Sequence, residues 1–303
     1  MKEIDFSPLH DKLIRRPNGQ LVPMDEPIWE AAEIAPGTWQ ILSSGDYHYL
    51  LAGDGEAIAI DTGYGAGNLR EYLEALCGLP VKSAINTHDH FDHTANNCYF
   101  DRVYMAFETV PLATRPFPSF KGVDFPRNYN THVVTDGDII PLPGRELEII
   151  KTPDHAPGSI AILDRSRRLL FSGDEFMPGI KWLNGTAESF MRNMKKLMAH
   201  RHEFDRLCGG PGIMDAEEAD IHYEAAKLML SGAVGNDAPP KAPPAIENEI
   251  VDGHIVYDCR APHPEDRGGG DPTRIRSKPH FFVYRGVRFE FDKNKLYDNG
   301  EKP

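Results

Sequence analysis

Long apolar runs, paired cysteines and an excess of basic charge are all missing from this sequence of 303 residues. No stretch of about 18 consecutive apolar residues occurs, which argues against a membrane-spanning helix. Residues 1–6 include acids where a secretory signal would have an apolar run. The four cysteines are scattered without a Cys-x-x-Cys pair, a pattern typical of reduced thiols. These absences predict a cytoplasmic protein with no membrane contact.

The charge balance is acidic, with 46 acidic residues against 33 basic ones and a formal net charge of −13. Nucleic acids and anionic membranes attract basic surfaces, so this balance argues against both as partners. Hydrophobic residues make up 40% of the chain, and a chain of this length buries a large core without disulfides. We therefore predict a globular protein, and the composition leaves its oligomeric state open.

Short β-type runs alternate with helical ones along the chain, which favours a mixed α/β fold. Strands are predicted at residues 41–42, 49–52, 57–60, 81–86, 103–105, 146–151, 160–163, 169–172, 255–257 and 280–284, with a short one near Leu207. Helices are predicted at residues 67–76, 187–202 and 215–230. A segment rich in proline and aromatics, residues 109–130, interrupts this rhythm and is typical of a lid or binding loop.

The same pattern divides the chain into three parts. Residues 1–34 are interpreted as an N-terminal extension and residues 35–232 as one domain. Four prolines lie within residues 235–244, a composition typical of a semi-rigid linker. Residues 233–303 are therefore predicted to be a Pro/Gly-rich linker and an accessory tail that packs on the body.

A cluster of potential metal ligands lies between His88 and His93, where six residues contain three histidines and two aspartates. In an extended loop, residues two apart point the same way, so His88 and His90 can reach one metal ion. Asp92 and His93 then turn toward a second position. A core or a solvated surface rarely needs this concentration of ligand groups, so we predict a metal site here.

Two further segments place a ligand group just past a predicted strand. His155 follows the strand at residues 146–151, and Asp174 follows the strand at 169–172. Side chains at strand ends gather at one edge of a sheet, where α/β proteins commonly bind their ligands. We therefore expect these two residues to join the cluster at 88–93.

Together these residues resemble the metallo-β-lactamase-fold superfamily, and within it the glyoxalase II-like hydrolases. The motif His-x-His-x-Asp-His matches at residues 88–93, and Ala59-Ile60-Asp61-Thr62-Gly63 is similar to the family's early strand and turn. The segment around His155 is similar to the third-histidine loop, and Ser172-Gly173-Asp174 to the bridging aspartate. The resemblance covers roughly residues 35–230. It implies an α/β fold, an αββα sandwich of the metallo-β-lactamase type, here with a C-terminal extension.

The resemblance also implies a role for each matching residue. His88, His90 and His155 would bind a first metal, Asp92 and His93 a second, and Asp174 would bridge both. The implied cofactor is zinc, as one or two ions, with iron or manganese as alternatives. Asp61 would orient ligand imidazoles or simply form a turn after its strand. Asp154, next to His155, has the same two interpretations, an orienting residue or a turn residue.

One ligand of the family pattern is missing. The last histidine normally follows a short strand, but residues 207–212 read Leu-Cys-Gly-Gly-Pro-Gly. Either the second metal has fewer protein ligands, or a histidine of the tail replaces the missing one, with His254, His263 and His280 as the candidates. The remaining helical histidines, His200, His202 and His222, are interpreted as solvated polar groups.

Metal chemistry then predicts the reaction. Zinc lowers the pKa of its bound water to about 7, which makes hydroxide available to attack a carbonyl carbon. Esters, thioesters, lactones and amides of small molecules all fit as substrates, with Asp92 or Asp174 passing a proton to the leaving group. Trp182, Phe117 and Phe120 are candidates for an apolar pocket wall. The prediction is a zinc-dependent metallohydrolase acting on a small-molecule substrate.

Two alternatives stay open from the sequence. A persulfide dioxygenase that uses a single iron needs mainly the first metal position, so the missing ligand would not harm it. A non-catalytic metal- or ligand-binding relative of the same fold would also tolerate that loss.

Overall fold

The computed structural model describes residues 12–43, 45–114, 126–232, 234–237, 249–260 and 279–300. In chain order its strands are β1 (Leu13–Arg15), β2 (Leu21–Pro23), β3 (Glu30–Ala35), β4 (Thr38–Ser43), β5 (Asp46–Ala52), β6 (Ala57–Ile60), β7 (Val81–Ile85), β8 (Arg102–Ala106), β9 (Thr131–Val134), β10 (Ile139–Leu142), β11 (Arg145–Lys151), β12 (Ile160–Asp164), β13 (Leu169–Gly173), β14 (Ile180–Trp182), β15 (Arg206–Gly209), β16 (Gly212–Asp215), β17 (Glu249–Val251), β18 (His254–Asp258), β19 (Pro279–Tyr284) and β20 (Val287–Asp292). The α-helices are α1 (Leu69–Cys77), α2 (Phe91–Thr94), α3 (Val110–Ala113), α4 (Ala187–Ala199) and α5 (Glu217–Ser231). Short 3₁₀ turns cover Asn97–Tyr99 and Arg201–Glu203.

Two large sheets carry most of these strands. The first has seven strands in the order β3 to β9, antiparallel up to β6 and parallel from there to β9. The second has six strands in the order β10-β11-β12-β13-β15-β16, with the β13–β15 pair parallel. β6, β7 and β13 each take part in a parallel pair. The segments that carry Asp61, residues 88–93 and Asp174 follow the ends of these three strands.

An apolar layer between the two sheets forms the centre of the protein. On each sheet the buried side chains alternate along the strands, as in Leu147 and Ile149 of β11, because successive residues point to opposite faces. Tyr49 of β5 meets Phe171 of β13 edge to face, with ring centroids 5.1 Å apart. The Tyr49 hydroxyl donates a hydrogen bond to the Gly209 carbonyl at 2.7 Å, so its polar end is satisfied in the core. This layer fixes one sheet against the other.

Helices cover the outer faces of both sheets. α1 and α3 pack on the first sheet through a separate buried cluster, and α4 and α5 pack on the second. Asn68 caps the start of α1, and Gly78 ends it in the left-handed conformation, with φ of 68°. Thr186 caps α4 by accepting a hydrogen bond from the Ser189 amide at 2.9 Å. The layers run helix, sheet, sheet, helix, which confirms the predicted αββα sandwich.

Strands from the end of the chain attach at two places. β18 pairs in parallel with β1 in a four-stranded sheet of order β17-β18-β1-β2. β20 pairs in parallel with β14 in a three-stranded sheet of order β14-β20-β19. The limits proposed above for the extension, the domain and the tail stay predictions. Among the described residues, no helix has the length and apolarity needed to cross a membrane.

His222 of α5 lies in the core, so its interpretation as a solvated residue was wrong. Its side chain is fully buried, and its ring meets Phe176 and Phe289 edge to face at 4.8 and 5.1 Å. Nδ1 donates to the Glu218 carbonyl one turn back at 2.8 Å. Burial, assisted by the charge of Lys181, lowers the pKa of His222 to about 3. The aromatic neighbours come from distant segments, so the helix sequence alone does not reveal the burial.

This burial predicts a pH-dependent stability difference between His222→Leu and the wild type. Below pH 6.5 the unfolded wild-type chain takes up a proton on His222 and the folded one does not, so stability is lost as pH falls towards 3. The leucine variant should gain about 1.4 kcal/mol of unfolding free energy relative to wild type per pH unit below 6.5. Urea unfolding at pH 7 and 5 measures this, with the exposed His202→Leu as the matched control. An identical difference at both pH values would contradict it.

Candidate metal centre

The ligand-rich segment follows the carboxyl end of β7 and continues into the single turn of α2. His88 leaves the strand end, and His90 takes an extended conformation at the cap position before α2. Asp92 and His93 then lie inside the helical turn, both buried. The backbone changes from extended to helical within the motif. His88 and His90 belong to one group of ligand atoms, and His93 belongs to another.

The first group of ligand atoms contains His88, His90, His155 and Asp174, with one atom of each lying within 4.8 Å of all the others. His155 Nε2 is 3.1 Å from His90 Nδ1 and 3.7 Å from Asp174 Oδ2. The His88 ring meets the rings of His90 and His155 edge to face, with centroids 4.5 and 4.8 Å away. Three imidazoles and a carboxylate at this spacing match the donor set of a zinc-type site.

The second group contains Asp46, His93 and Asp174 within the same limit. His93 Nε2 lies 3.2 Å from Asp46 Oδ2, 3.5 Å from Asp174 Oδ1 and 3.7 Å from Asp92 Oδ2. Asp92 therefore borders this group, although it is a member of neither. Asp174 is shared by both groups, which is the placement expected of a bridging ligand.

Buried polar atoms without partners show that these residues fit a metal ion. His88 Nε2, His93 Nε2 and Asp174 Oδ1 are all buried and make no hydrogen bond within the described part of the chain. Leaving such atoms unpaired costs roughly 1–3 kcal/mol each, so folded proteins normally satisfy them. His88 and Asp174 lie together in the first ligand group, and His93 and Asp174 in the second, as ligand residues around cations do.

Asp61 sets the orientation of two of the imidazoles. Its carboxylate accepts hydrogen bonds from the Thr87 amide and hydroxyl, each at 2.7 Å, and contacts His93 Nδ1 at 2.8 Å. Because the Thr87 hydroxyl gives its only proton to Asp61, it can only accept from His88 Nδ1, 3.0 Å away. Both rings thus carry their proton on Nδ1 towards this network and direct Nε2 into the centre.

Asp61 also has an unusual backbone conformation, with φ of 59°. Aspartate and asparagine tolerate this left-handed region better than most residues. The conformation turns the chain sharply at the end of β6 and aims the carboxylate at Thr87 and His93. The sequence left two interpretations of Asp61 open, a turn residue and a partner of the histidines. Both apply to this side chain.

We expect Asp61→Asn to lower the free energy of unfolding by roughly 1–3 kcal/mol. Asparagine keeps the shape and the left-handed backbone preference, but its amide presents a donor to a buried hydroxyl or ring N–H that also donates. Thermal or urea unfolding measures the loss, with the exposed Asp25→Asn as the control. Equal stability of D61N and wild type would contradict this account of the network.

The second group gathers buried carboxylates around one imidazole. Burial raises the pKa of Asp46 well above its usual value and also raises the pKa of Asp92. Burial alone would lower the pKa of His93, but the surrounding carboxylates, Asp46 foremost, raise it well above the usual value. A proton on His93 is thus one way to balance these acids. A metal ion bound at His93 Nε2 would balance them in its place.

The first group is arranged differently, because burial lowers the pKa of His88 and of His155 well below the usual value. Both rings are therefore neutral at physiological pH and keep a lone pair for a metal. Burial alone would raise the pKa of Asp174, but His93, His155 and His90 lower it, so this carboxylate stays ionised between the two groups.

A buried ion network lies directly behind His155. Lys181 Nζ is 2.9 Å from Asp154 Oδ2 and 2.7 Å from Glu175 Oε1, and all three side chains are almost fully buried. Glu175 Oε2 accepts a hydrogen bond from the His155 amide at 3.1 Å, and Asn184 Nδ2 donates to the His155 carbonyl at 2.9 Å. Asp154 thus belongs to a network that holds the His155 loop, a partner that its local sequence does not reveal.

The structure does not bring His254 or His280, the tail histidines among the described residues, into either ligand group. His280 contacts Asp237 Oδ1 through Nδ1 at 2.7 Å and the Val234 carbonyl through Nε2 at 2.9 Å. His254 begins β18, where it pairs with Val251 of β17. His263 lies outside the described residues.

The residues predicted to line a pocket are only partly described. Trp182 is half-buried in β14 and pairs with Glu290 of β20. Phe117 and Phe120 lie outside the described residues. The pocket wall therefore stays a prediction.

Asp46 is the ligand-group member that the sequence did not indicate. It stands alone at the start of β5, after Gly45, and carries no motif. One weak signal exists in the sequence. Asp46 and His48 lie two residues apart, so in a strand their side chains point to the same face.

The fold and the paired ligand groups define a class of proteins, the metallo-β-lactamases. The chain belongs to the metallo-beta-lactamase superfamily, whose sequence profile matches residues 47–231. This confirms the family predicted from the histidine motif. A metallo-beta-lactamase from Pontibacter korlensis shares the fold with a TM-score of 0.53 at 16% identity, covering 66% of this chain and 99% of its own.

Curated relatives include enzymes that act on thioesters. The chain is 33% identical over 168 residues to the acyl-coenzyme A thioesterase MBLAC2 of Bos taurus, a match covering 45% of this chain and 60% of the relative. It is 25% identical over 231 residues to a hydroxyacylglutathione hydrolase of Xanthomonas axonopodis, covering 74% of this chain and 84% of the relative. The match spans about three fifths of the length of the bovine thioesterase.

Proposed function

We propose that this protein is a metal-dependent hydrolase of acyl thioesters formed with a small-molecule thiol, and that zinc is its metal. The observation that carries the proposal is the convergence of unpartnered ligand atoms from His88, His93 and Asp174 at one edge of the sandwich. The two relatives described above, named for hydrolysis of acyl-coenzyme A and of hydroxyacylglutathione, share the thioester as the bond that is broken.

His88, His90 and His155 would hold the first metal ion, Asp92 and His93 the second, and Asp174 both. When bound, such ions polarise a carbonyl oxygen and lower the pKa of water, so that neutral pH suffices for hydrolysis. The residues that the resemblance singled out thus form one connected site.

The chain's own groups prepare this site for proton transfer. Asp61 and Thr87 hold the Nδ1 protons of His93 and His88 away from the centre, so Nε2 of each ring is the atom that would bind a metal ion. Asp92 lies beside the centre, and burial raises the pKa of its carboxyl. As a carboxylate at the edge of the centre, Asp92 would relay a proton to the departing thiolate.

A substrate panel tests the proposal. The purified protein is loaded with zinc and assayed with acyl-coenzyme A esters, a hydroxyacylglutathione, an oxygen ester and a lactone, each also after chelation. We expect thioester turnover that chelation abolishes, with the oxygen ester and the lactone hydrolysed at least ~10-fold more slowly. Turnover of none of the thioesters by metal-loaded protein would refute the proposal. Oxygen consumption with glutathione persulfide by the iron-loaded protein would instead favour the dioxygenase.

A further inference from the structure

We propose that Asp46 is the ligand that replaces the missing last histidine at the second metal position. This inference rests on the metal-dependent function proposed above. It assigns a metal-binding role to a residue outside the family's histidine motif, at the start of β5.

The contacts of Asp46 carry the assignment. Its Oδ2 lies 3.2 Å from His93 Nε2, and its ligand atom, that of His93 and that of Asp174 all lie within 4.8 Å of one another. His93 Nε2 and Asp174 Oδ1 are both buried without a hydrogen-bond partner among the described residues. Asp46 therefore faces two orphaned ligand atoms, and one metal ion between the three groups would satisfy all of them.

Gly210 provides the space that Asp46 occupies. It lies in the turn after β15, where the family pattern would place its histidine. A Cβ at this position would lie 2.2 Å from Asp174 Oδ1, 2.4 Å from Asp46 Oδ1 and 3.1 Å from His93 Cε1. A side chain at 210 and the observed Asp46 carboxylate exclude each other. Glycine at position 210 therefore leaves room for the carboxylates of both Asp46 and Asp174.

Backbone contacts on both sides of Asp46 hold it in place. The Gly45 amide donates to the Cys259 carbonyl at 2.7 Å, and the Tyr47 amide donates to the Gly210 carbonyl at 2.9 Å. Cys259 follows β18, so the end of the chain contributes a backbone anchor beside the site. Gly210 both makes room for the carboxylate and fixes the strand that carries it.

The donor set has a chemical consequence for metal preference. With Asp46, the second position is surrounded by Asp46, Asp92, Asp174 and His93, three carboxylates and one imidazole. The first position has three imidazoles and the shared Asp174. Imidazole suits zinc, whereas carboxylates suit harder ions such as Mn²⁺. We therefore expect zinc to fill the first position preferentially and the second to accept Mn²⁺ more readily.

Metal titration tests the assignment without relying on activity. Wild type, Asp46→Asn, His48→Gln, His280→Ala and the exposed-site control Asp25→Asn are titrated with Zn²⁺ and Mn²⁺ against a chelator, and bound metal is measured by mass spectrometry. We expect two ions per wild-type chain. In D46N the first ion should bind within about threefold of wild type, and the second at least ~10-fold more weakly. The other variants should retain both ions.

A cysteine at position 46 gives a positive signal that does not depend on comparing affinities. Asp46→Cys loaded with Co²⁺ should show a thiolate-to-cobalt charge-transfer band in the near ultraviolet. Wild type loaded with Co²⁺ should lack the band, and it controls for the four native cysteines. This variant also decides the question if D46N does not fold.

Each result separates this inference from the proposed function. Two tightly bound ions in D46N together with no band in D46C would overturn the assignment. A lost second ion in H48Q or H280A but not in D46N would do the same. A wild type that binds one ion yet hydrolyses thioesters would refute Asp46 as a ligand and leave the hydrolase standing. Loss of the second ion in D46N alone, without thioester turnover in wild type, would refute the substrate and leave Asp46 standing.

Discussion

His90→Ala is expected to lower kcat/KM for thioester hydrolysis by at least ~10³-fold, which corresponds to about 4 kcal/mol of transition-state stabilisation. The His90 ring lies among His88, His155 and Asp174, with Nδ1 3.1 Å from His155 Nε2. Alanine removes one of the three imidazoles of the first position, which weakens metal binding and alters the arrangement of donors around the ion. Steady-state kinetics and metal content measure the two losses in the same sample.

The control for this variant is His202→Ala, since the His202 side chain is exposed and lies in the 3₁₀ turn after α4. It should keep wild-type turnover and metal content. A His90→Ala protein with kcat/KM within tenfold of wild type would show that the first ligand group is not the catalytic centre.

Lys181→Met is expected to reduce the free energy of unfolding by about 3–5 kcal/mol, because it leaves buried carboxylates without their cation. The Lys181 side chain is 3% exposed, and those of Asp154 and Glu175 are fully buried. Methionine keeps the length of the side chain and removes only the charge. Since Glu175 also accepts the His155 amide hydrogen bond, the variant should bind its first metal ion more weakly as well.

The pH dependence of this variant has a defined sign. Burial raises the pKa of Glu175 to about 7, although the charge of Lys181 lowers it. Without Lys181 the folded-state pKa rises further above the unfolded value of about 4.5, so the folded chain binds the proton more tightly. The stability of K181M should therefore fall as pH rises above about 4.5, and the fall should continue beyond pH 7, where that of wild type levels off.

Urea unfolding at several pH values measures both effects of Lys181→Met. Lys196→Met is the matched control, because its ammonium group forms a partly exposed pair with Asp136 at 3.3 Å and should cost less than about 1 kcal/mol. Equal losses in the two lysine variants would contradict the assignment of a buried network behind His155.

Much of the fold and part of the site could be predicted from local sequence. The strands ending before His88 and Asp174 appear as β7 and β13, and the predicted helix at 187–202 appears as α4 followed by a 3₁₀ turn. Such elements are predictable because their apolar periodicity is set over a few neighbouring residues. The roles assigned to individual ligands stay predictions until metal binding is measured.

Other features depend on residues that lie far apart in the chain. His222 is buried because Phe176 and Phe289 reach it from other elements, and helix periodicity does not record those neighbours. From the sequence, Asp154 could be a turn residue or a residue that orients ligand imidazoles. In the structure it pairs with Lys181 of β14. In both cases the environment of an ionisable group is a tertiary property, since burial and charge partners are assembled from distant segments.

The sequence by itself determined that this chain has a histidine-rich metal motif at the end of a strand, because six consecutive residues carry that signal. It also showed that one ligand was missing, and it pointed to the histidines of the tail. Only the tertiary structure placed Asp46 against His93 and Asp174, through a strand start that is anchored at Cys259 and Gly210. The physical reason is that a metal site is defined by distances between side chains, and sheet packing sets those distances.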